Sequence, residues 1–192
     1  AGGRLVPELT ALGAIHEQLP IGRKHVRTLG CIRPLRDLIR KHRVDIVHAR
    51  SRLPAWIGAR ALSGLPAGAR PAWITTVHGP YTVNAYSRIM TSGDRVIAIS
   101  EFIRAYITDH YARVDPGNIR VIPRGIDRAG YPPGYVPDRA WREAFFAQYP
   151  QLADRRLLVV PGRLTRWKGQ EEFIAVIARL IAQGRPVHGL IA

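Results

Sequence analysis

Short apolar runs rich in β-branched residues recur along the chain, at Val44 to His48, Trp73 to His78, Arg95 to Ile99, Ile119 to Pro123, Arg156 to Val160 and Val187 to Ile191. Each has the length of a strand and reads as nearly continuous apolar sequence, the pattern of strands buried on both faces. The segments between them are amphipathic at helical spacing. Apolar strands alternating with such helices predict an α/β protein built on parallel sheets.

Several helices have readable ends. From Glu101 to Tyr111, the residues Phe102, Ile103, Tyr106, Ile107 and Tyr111 recur three to five apart; Ser100 stands where a cap belongs, and Glu101 sits at the positive end of the dipole. From Gln170 to Gln183, Phe173, Ile174, Ile177, Leu180 and Ile181 form one stripe, with Glu171 and Glu172 in the first turn and Gly184 as a stop. A third helix, Ile32 to Arg43, sets Arg33, Arg36, Arg40 and Arg43 in one arc beside Ile32, Leu35, Leu38 and Ile39. Between Asp127 and Asp154, Gly130, Pro132, Pro133, Gly134 and Pro137 precede an aromatic-rich segment, Trp141 to Tyr149, and such a cluster is where domains join. The expected division is a domain over 1–130, a linker with a linker helix over 131–154, and the start of a second domain over 155–192.

Composition changes this picture in three ways. The formal charge of +15 over 192 residues implies attraction to phosphates, anionic lipids or nucleic acid. Much of it lies in Arg23, Lys24, Arg27, Arg33, Arg36, Arg40, Lys41, Arg43, Arg50 and Arg52, against Asp37 and Asp45 alone in that stretch. A single cysteine, Cys31, rules out an internal disulfide and fits a reducing compartment, with cytoplasm the default. No apolar run approaches the ~20 residues of a membrane-spanning helix. The chain opens on Ala1-Gly2-Gly3 without Met and closes on a strand, so a piece of a longer protein is expected.

The stretch Leu157 to Gln170 carries the most chemistry. A strand runs into a loop holding Gly162, Arg163, Arg166, Lys168 and Gly169, and the loop opens a helix. Backbone N–H groups and the helix dipole favour an anion there, Gly permits close approach, and Arg163 with Lys168 offers a planar fork beside a point charge, a pair suited to a diphosphate. The pattern is neither the dinucleotide fingerprint nor the Walker loop. A solvated basic loop is the alternative. No His, Cys, Asp or Glu cluster has ligand spacing for a metal.

Gly162-Arg163-Leu164-Thr165-Arg166-Trp167-Lys168-Gly169 closely resembles the G-R-[LF]-x-x-x-K-G motif of the retaining, GT-B enzymes of glycosyltransferase family 4. Three stretches agree with that family in order and spacing: Thr75 to Gly79, ending in His-Gly; Arg95 to Glu101, like "V-I-A-x-S-E"; and Val121 to Asp127, like "V-I-P-N-G-V-D". Arg124 departs from it, standing where Asn is usual.

The resemblance implies GT-B architecture, two Rossmann-like domains with parallel sheets, both incomplete here: an acceptor-side domain lacking its first strand and a truncated donor-side domain. It implies that Gly162, Arg163, Lys168 and Gly169 bind the donor diphosphate, that Arg163 and Lys168 are also catalytic, and that His78 orients substrate in a metal-independent, cofactor-free reaction. Arg50, Ser51, Gly79, Ser100, Glu101 and Arg124 are candidate acceptor or cleft residues. The stretch His48 to Arg52 reads equally as a solvated basic turn. The implied partners are a nucleotide-sugar donor, a glycan or lipid-linked acceptor of bacterial lipopolysaccharide or exopolysaccharide type, and an anionic surface on the inner face of the plasma membrane for the arginine arc. The rivals are a basic nucleic-acid-binding protein, which lacks any RNA- or DNA-binding signature here, and a sugar-nucleotide epimerase, against which the Gly-Arg…Lys-Gly spacing argues.

Overall fold

A computed structural model describes residues 3–22 and 25–192; Ala1, Gly2, Arg23 and Lys24 lie outside the described residues. The chain divides into two compact units, residues 1–125 and 126–192. In the first unit, helices α1 (Val6–Ala11) and α2 (Ile32–Lys41) precede β1 (Ile46–Ala49), α3 (Arg52–Leu62), β2 (Ala72–Val77), α4 (Ala85–Arg88), β3 (Arg95–Ala98), α5 (Glu101–His110) and β4 (Ile119–Val121). The second unit holds α6 (Arg139–Gln148), β5 (Arg156–Val160), α7 (Gln170–Ala182) and β6 (Val187–Ile191). Both sheets are parallel, one ordered β1-β2-β3-β4 and the other β5-β6. The protein is α/β throughout.

The first sheet buries one face, not two. Ala49 lies opposite Thr75, Thr75 opposite Val96 and Val96 opposite Ile119, and these line one side with Trp73, Val77 and Ala98. All of them are buried, and Ile39 of α2, Ala55, Ala61 and Leu62 of α3, and Ile103 and Ile107 of α5 join the same core. Chain connectivity supplies the reason. Parallel strands that follow one another across a sheet, joined by right-handed crossovers, put every crossover helix on the same side. The other side leaves Ile46, His48, Arg95 and Arg120 exposed and Ile74 and Ile97 half-buried.

Helix ends follow local chemistry. The Ser100 hydroxyl accepts the Ile103 N–H at 3.3 Å and caps α5, while the Asp138 carboxylate accepts the Trp141 N–H at 2.7 Å and caps α6. The arginine arc on α2 is smaller than its spacing predicts. Arg36 is half-buried and donates from Nε to the Ala61 carbonyl at 3.0 Å and from Nη2 to that of Arg60 at 3.4 Å, satisfying the carboxyl end of α3 with a cation. Gly64 makes room for it, since a Cβ there would collide with the guanidinium. Arg43 lies past the helix with a φ of 46°. Arg33 and Arg40 remain exposed.

In α7, Phe173, Ile177 and Leu180 are half-buried, and Phe173 and Ile177 crowd Gly189 of β6. Ile174 and Ile181, expected on the same stripe, stay 57% and 53% exposed. A sheet of two strands offers a helix only a narrow track.

Candidate functional site

In the first unit the sheet's carboxyl edge collects polar residues on its open face. His48 sits in β1, Arg50 follows it, Thr76 lies in β2, His78 follows β2, and Arg124 stands three residues beyond β4. His48 Nε2 and Thr76 Oγ1 are 2.6 Å apart, and Arg124 Nη2 is 3.1 Å from His78 Nδ1. A guanidinium can only donate, so Nδ1 of His78 accepts and the ring proton of the neutral imidazole sits on Nε2. Burial lowers the His78 pKa, and the charges of Arg124, Arg50 and His48 lower it further. Partial burial and then Arg50 do the same to His48. His78 is therefore held neutral, as a donor from Nε2. The departure at position 124 acquires a partner: Arg124 faces the histidine of the His-Gly stretch.

A second layer holds the loop behind His78. The Arg52 guanidinium lies 5.1 Å from the Tyr81 ring centroid and 5.2 Å from that of Tyr86, and donates to the buried Ser87 hydroxyl at 3.2 Å. The His78 N–H donates to the Tyr81 hydroxyl at 3.4 Å, and the Tyr106 hydroxyl donates to the Tyr81 carbonyl at 2.6 Å. Arg52 thus belongs to the packing of this loop and not to a solvated turn. Sequence reasoning missed Tyr81 and Tyr86, because a lone aromatic in a loop and one in the single-turn α4 give no period; the signal was the position of Tyr81 just after His-Gly-Pro.

The other candidates of this unit are separated by role. Ser51 is the residue before α3, extended at φ −153°, with no side-chain cap bond. Gly79 faces open space, with nothing within 4 Å of where a Cβ would stand. Ser100 is committed to its cap, and exposed Glu101 pairs with Arg104 at 3.7 Å one turn along α5.

In the second unit, β5 leads through Gly162 into a short turn, Arg166–Lys168, and then α7. Gly162 has a φ of 154° and Gly169 a φ of 75°, conformations that favour glycine. The Gly162 N–H donates to the Ala192 carbonyl at 2.7 Å, so it serves the sheet and is not free for a phosphate. Buried Gln170 donates from Nε2 to the Arg163 carbonyl at 3.1 Å and braces the loop from the first residue of α7. The Lys168 stem passes 3.8 Å from where a Gly162 Cβ would stand, and its ammonium lies 4.4 Å from the Trp167 ring centroid. Arg163 is exposed. Among the described residues no carboxylate ion-pairs with Arg50, Arg124, Arg163 or Lys168.

Known proteins share sequence and fold with this chain. Over 113 residues the chain is 29% identical to an alpha-maltose-1-phosphate synthase of Mycolicibacterium smegmatis, covering 57% of this chain and 28% of that protein. The crystal structure of a glycosyltransferase from Rickettsia africae ESF-5 superposes with a TM-score of 0.76 at 28% identity, over 99% of this chain and 50% of that one. The chain thus spans half the length of that structure or less of its matched relatives. Residues 4–129 match the family described as Glycosyltransferase Family 4, and the chain belongs to that family.

Proposed function

We propose that the protein transfers a sugar from a nucleotide-diphosphate sugar to a hydroxyl of a glycan or lipid-linked glycan, with retention of anomeric configuration. The loop between β5 and α7 carries the reading: a braced turn presenting Arg163 and Lys168, neither of them paired with a carboxylate. When the bond from the anomeric carbon to the phosphate oxygen breaks, its electron pair goes to the diphosphate, and fixed cations there stabilise that growing charge more than the ground state. The acceptor hydroxyl attacks on the face the leaving group departs from, and its proton passes to the departing phosphate oxygen. No nucleophile of the protein and no metal are needed in this scheme. His78, neutral with its proton on Nε2, donates a hydrogen bond to the bound sugar rather than removing a proton.

The membrane part of the proposal rests on fewer groups than the sequence suggests. Arg27, Arg33 and Arg40 are exposed, with Val26 and Leu29 exposed beside Arg27, a mixture suited to an anionic bilayer surface at the inner face of the plasma membrane. No helix among the described residues is long and apolar enough to cross a membrane.

In the complete protein, Arg163→Ala and Lys168→Ala should each lower turnover by roughly 10²- to 10³-fold. Near-normal rates in both would remove the diphosphate role. Proton NMR of the fresh product reads the anomeric configuration, and an inverted product would end the retaining scheme.

A further inference from the structure

We propose that the first unit carries a second ligand site, a cavity between α4 and the end of α5 that takes a small organic anion with an apolar or aromatic body. This site stands apart from the sugar-transfer reading and does not depend on it.

The cavity holds about 320 Å³, at the lower end of the roughly 300–1,000 Å³ usual for small-molecule sites. One wall comes from Val83, Asn84 and Arg88, the other from Tyr111, Arg113 and Val114. From α4 the chain runs on to the start of β3, and from Val114 to the start of β4. The far end of the cavity therefore lies toward the amino ends of these strands, opposite the edge that carries His78.

Its charges have one sign. Arg88 and Arg113 are exposed, no carboxylate lines the cavity, and among the described residues neither guanidinium has a hydrogen-bond or ion-pair partner. Asn84 Oδ1 accepts the Ser87 N–H at 2.8 Å, which orients the amide and leaves its N–H donors free. Two guanidinium forks and an amide suit the oxygens of a carboxylate or a phosphate. The rest of the wall suits an apolar body. Val83 and Val114 supply aliphatic surface, and the Tyr111 hydroxyl is buried, so this side chain offers an occupant its ring. A bare inorganic anion would leave that surface uncovered, and a neutral apolar molecule would leave two cations without a counter-charge.

The cavity also touches the loop that begins at His78. Val83 and Asn84 follow Tyr81, whose hydroxyl accepts the His78 N–H, and Tyr86 beyond them faces Arg52. An occupant packed against Val83 and Asn84 should steady this segment.

Site-resolved NMR titration of this chain tests the proposal, with phenyl phosphate, benzoate, inorganic phosphate and benzyl alcohol as probes. Phenyl phosphate or benzoate should shift the amides of Asn84, Arg88, Tyr111 and Arg113 and bind there more tightly than inorganic phosphate or benzyl alcohol; the tighter of the two names the oxyanion. Arg88→Gln and Arg113→Gln, both changes at exposed positions, should each weaken that binding by about tenfold, the size of one lost charged hydrogen bond, while Arg142→Gln in the second unit leaves it unchanged. At saturation, hydrogen exchange of the amides of residues 81–86 should slow. Benzyl alcohol or inorganic phosphate binding as tightly as the organic anions, shifts confined to residues outside the cavity, affinities indifferent to Arg88 and Arg113, or unchanged exchange over 81–86 would each overturn it. None of these results bears on the turnover of the Arg163 and Lys168 variants, which tests the transfer reading by itself.

Discussion

The two units answer the same architectural problem with unequal means. In the first, four parallel strands and the helices between them enclose Ala55, Ile57, Met90, Val96, Ala98 and Ile107, each no more than 1% exposed. In the second, two strands and α7 bury only Val187 and Gln170 among their residues, and leave Val159, Ile174, Val176, Ile181 and Ile191 at 42% exposure or more. One strand–helix–strand unit cannot surround its own apolar surface, because its single helix covers one side of a ribbon only two strands wide. The functional groups follow the same division. In the first unit His78 is held by Arg124 and Tyr81; in the second, Arg163 and Lys168 hang on a loop fixed by glycine geometry and by Gln170.

The largest effect expected from this contrast is on stability. Met90→Ala removes a fully buried side chain and should cost about 2–5 kcal/mol of the first unit's unfolding free energy. Ile174→Ala changes a side chain that is 57% exposed and should cost under about 1 kcal/mol. Urea unfolding followed by circular dichroism compares them. If the Ile174 variant lost as much as the Met90 variant, the second unit would have a packed interior that its exposed positions contradict.

A smaller effect is expected with pH. The pKa of His48 and of His78 is lowered in the native state, so the unfolded chain takes up protons at these positions before the folded one does. The first unit should therefore hold its full stability above the ordinary histidine value of about 6.5 and lose it as pH falls toward the lowered native values. Arg124→Gln removes a repulsive charge, raises the His78 midpoint in NMR titration and shallows that loss. A slope of opposite sign, or one unchanged in the variant, would place the charges elsewhere. Asp94 acts lower in pH. Burial favours its neutral form, but hydrogen bonds from Arg70 at 3.0 Å and the Trp73 N–H at 2.7 Å outweigh this and lower its pKa. Its contribution persists until the pH falls below the ordinary carboxylate range of about 4.

What the sequence made legible follows the same line between local and long-range physics. All six strands lie where continuous apolar runs predict them, because each run is a local pattern and strand burial depends on it. The Ser100 cap was readable from two adjacent residues, Ser100 and Glu101. The open face of the first sheet was not readable, since it depends on strand order and crossover hand, which no single run encodes. Nor was the fate of Arg36, whose partners are carbonyls 24 and 25 residues away on another helix. Gly162, Arg163 and Lys168 of the second unit and His78 of the first stood out through motif resemblance, and within the first unit the residue that departed from the motif, Arg124, is the one the fold brings against His78.

The smallest expected effect tests how complete the better-packed unit is. Tyr111, at the end of α5, is 7% exposed, and its hydroxyl is buried without a hydrogen-bond partner. Burial raises its pKa, with Tyr106 and Tyr81 adding to the rise and Arg52 opposing it, so the group stays a neutral phenol whose O–H finds nothing to bond. Leaving such a group unsatisfied costs free energy that a ring without the oxygen avoids. Tyr111→Phe should therefore leave stability unchanged or raise it by up to about 1 kcal/mol. Tyr106 is the internal comparison. Its hydroxyl donates to the Tyr81 carbonyl at 2.6 Å, so Tyr106→Phe should cost about 1 kcal/mol and loosen the loop behind His78. Urea midpoints for the two variants differ in sign on this account; equal losses would mean that the Tyr111 hydroxyl has a partner in solution and that this interior is fully matched.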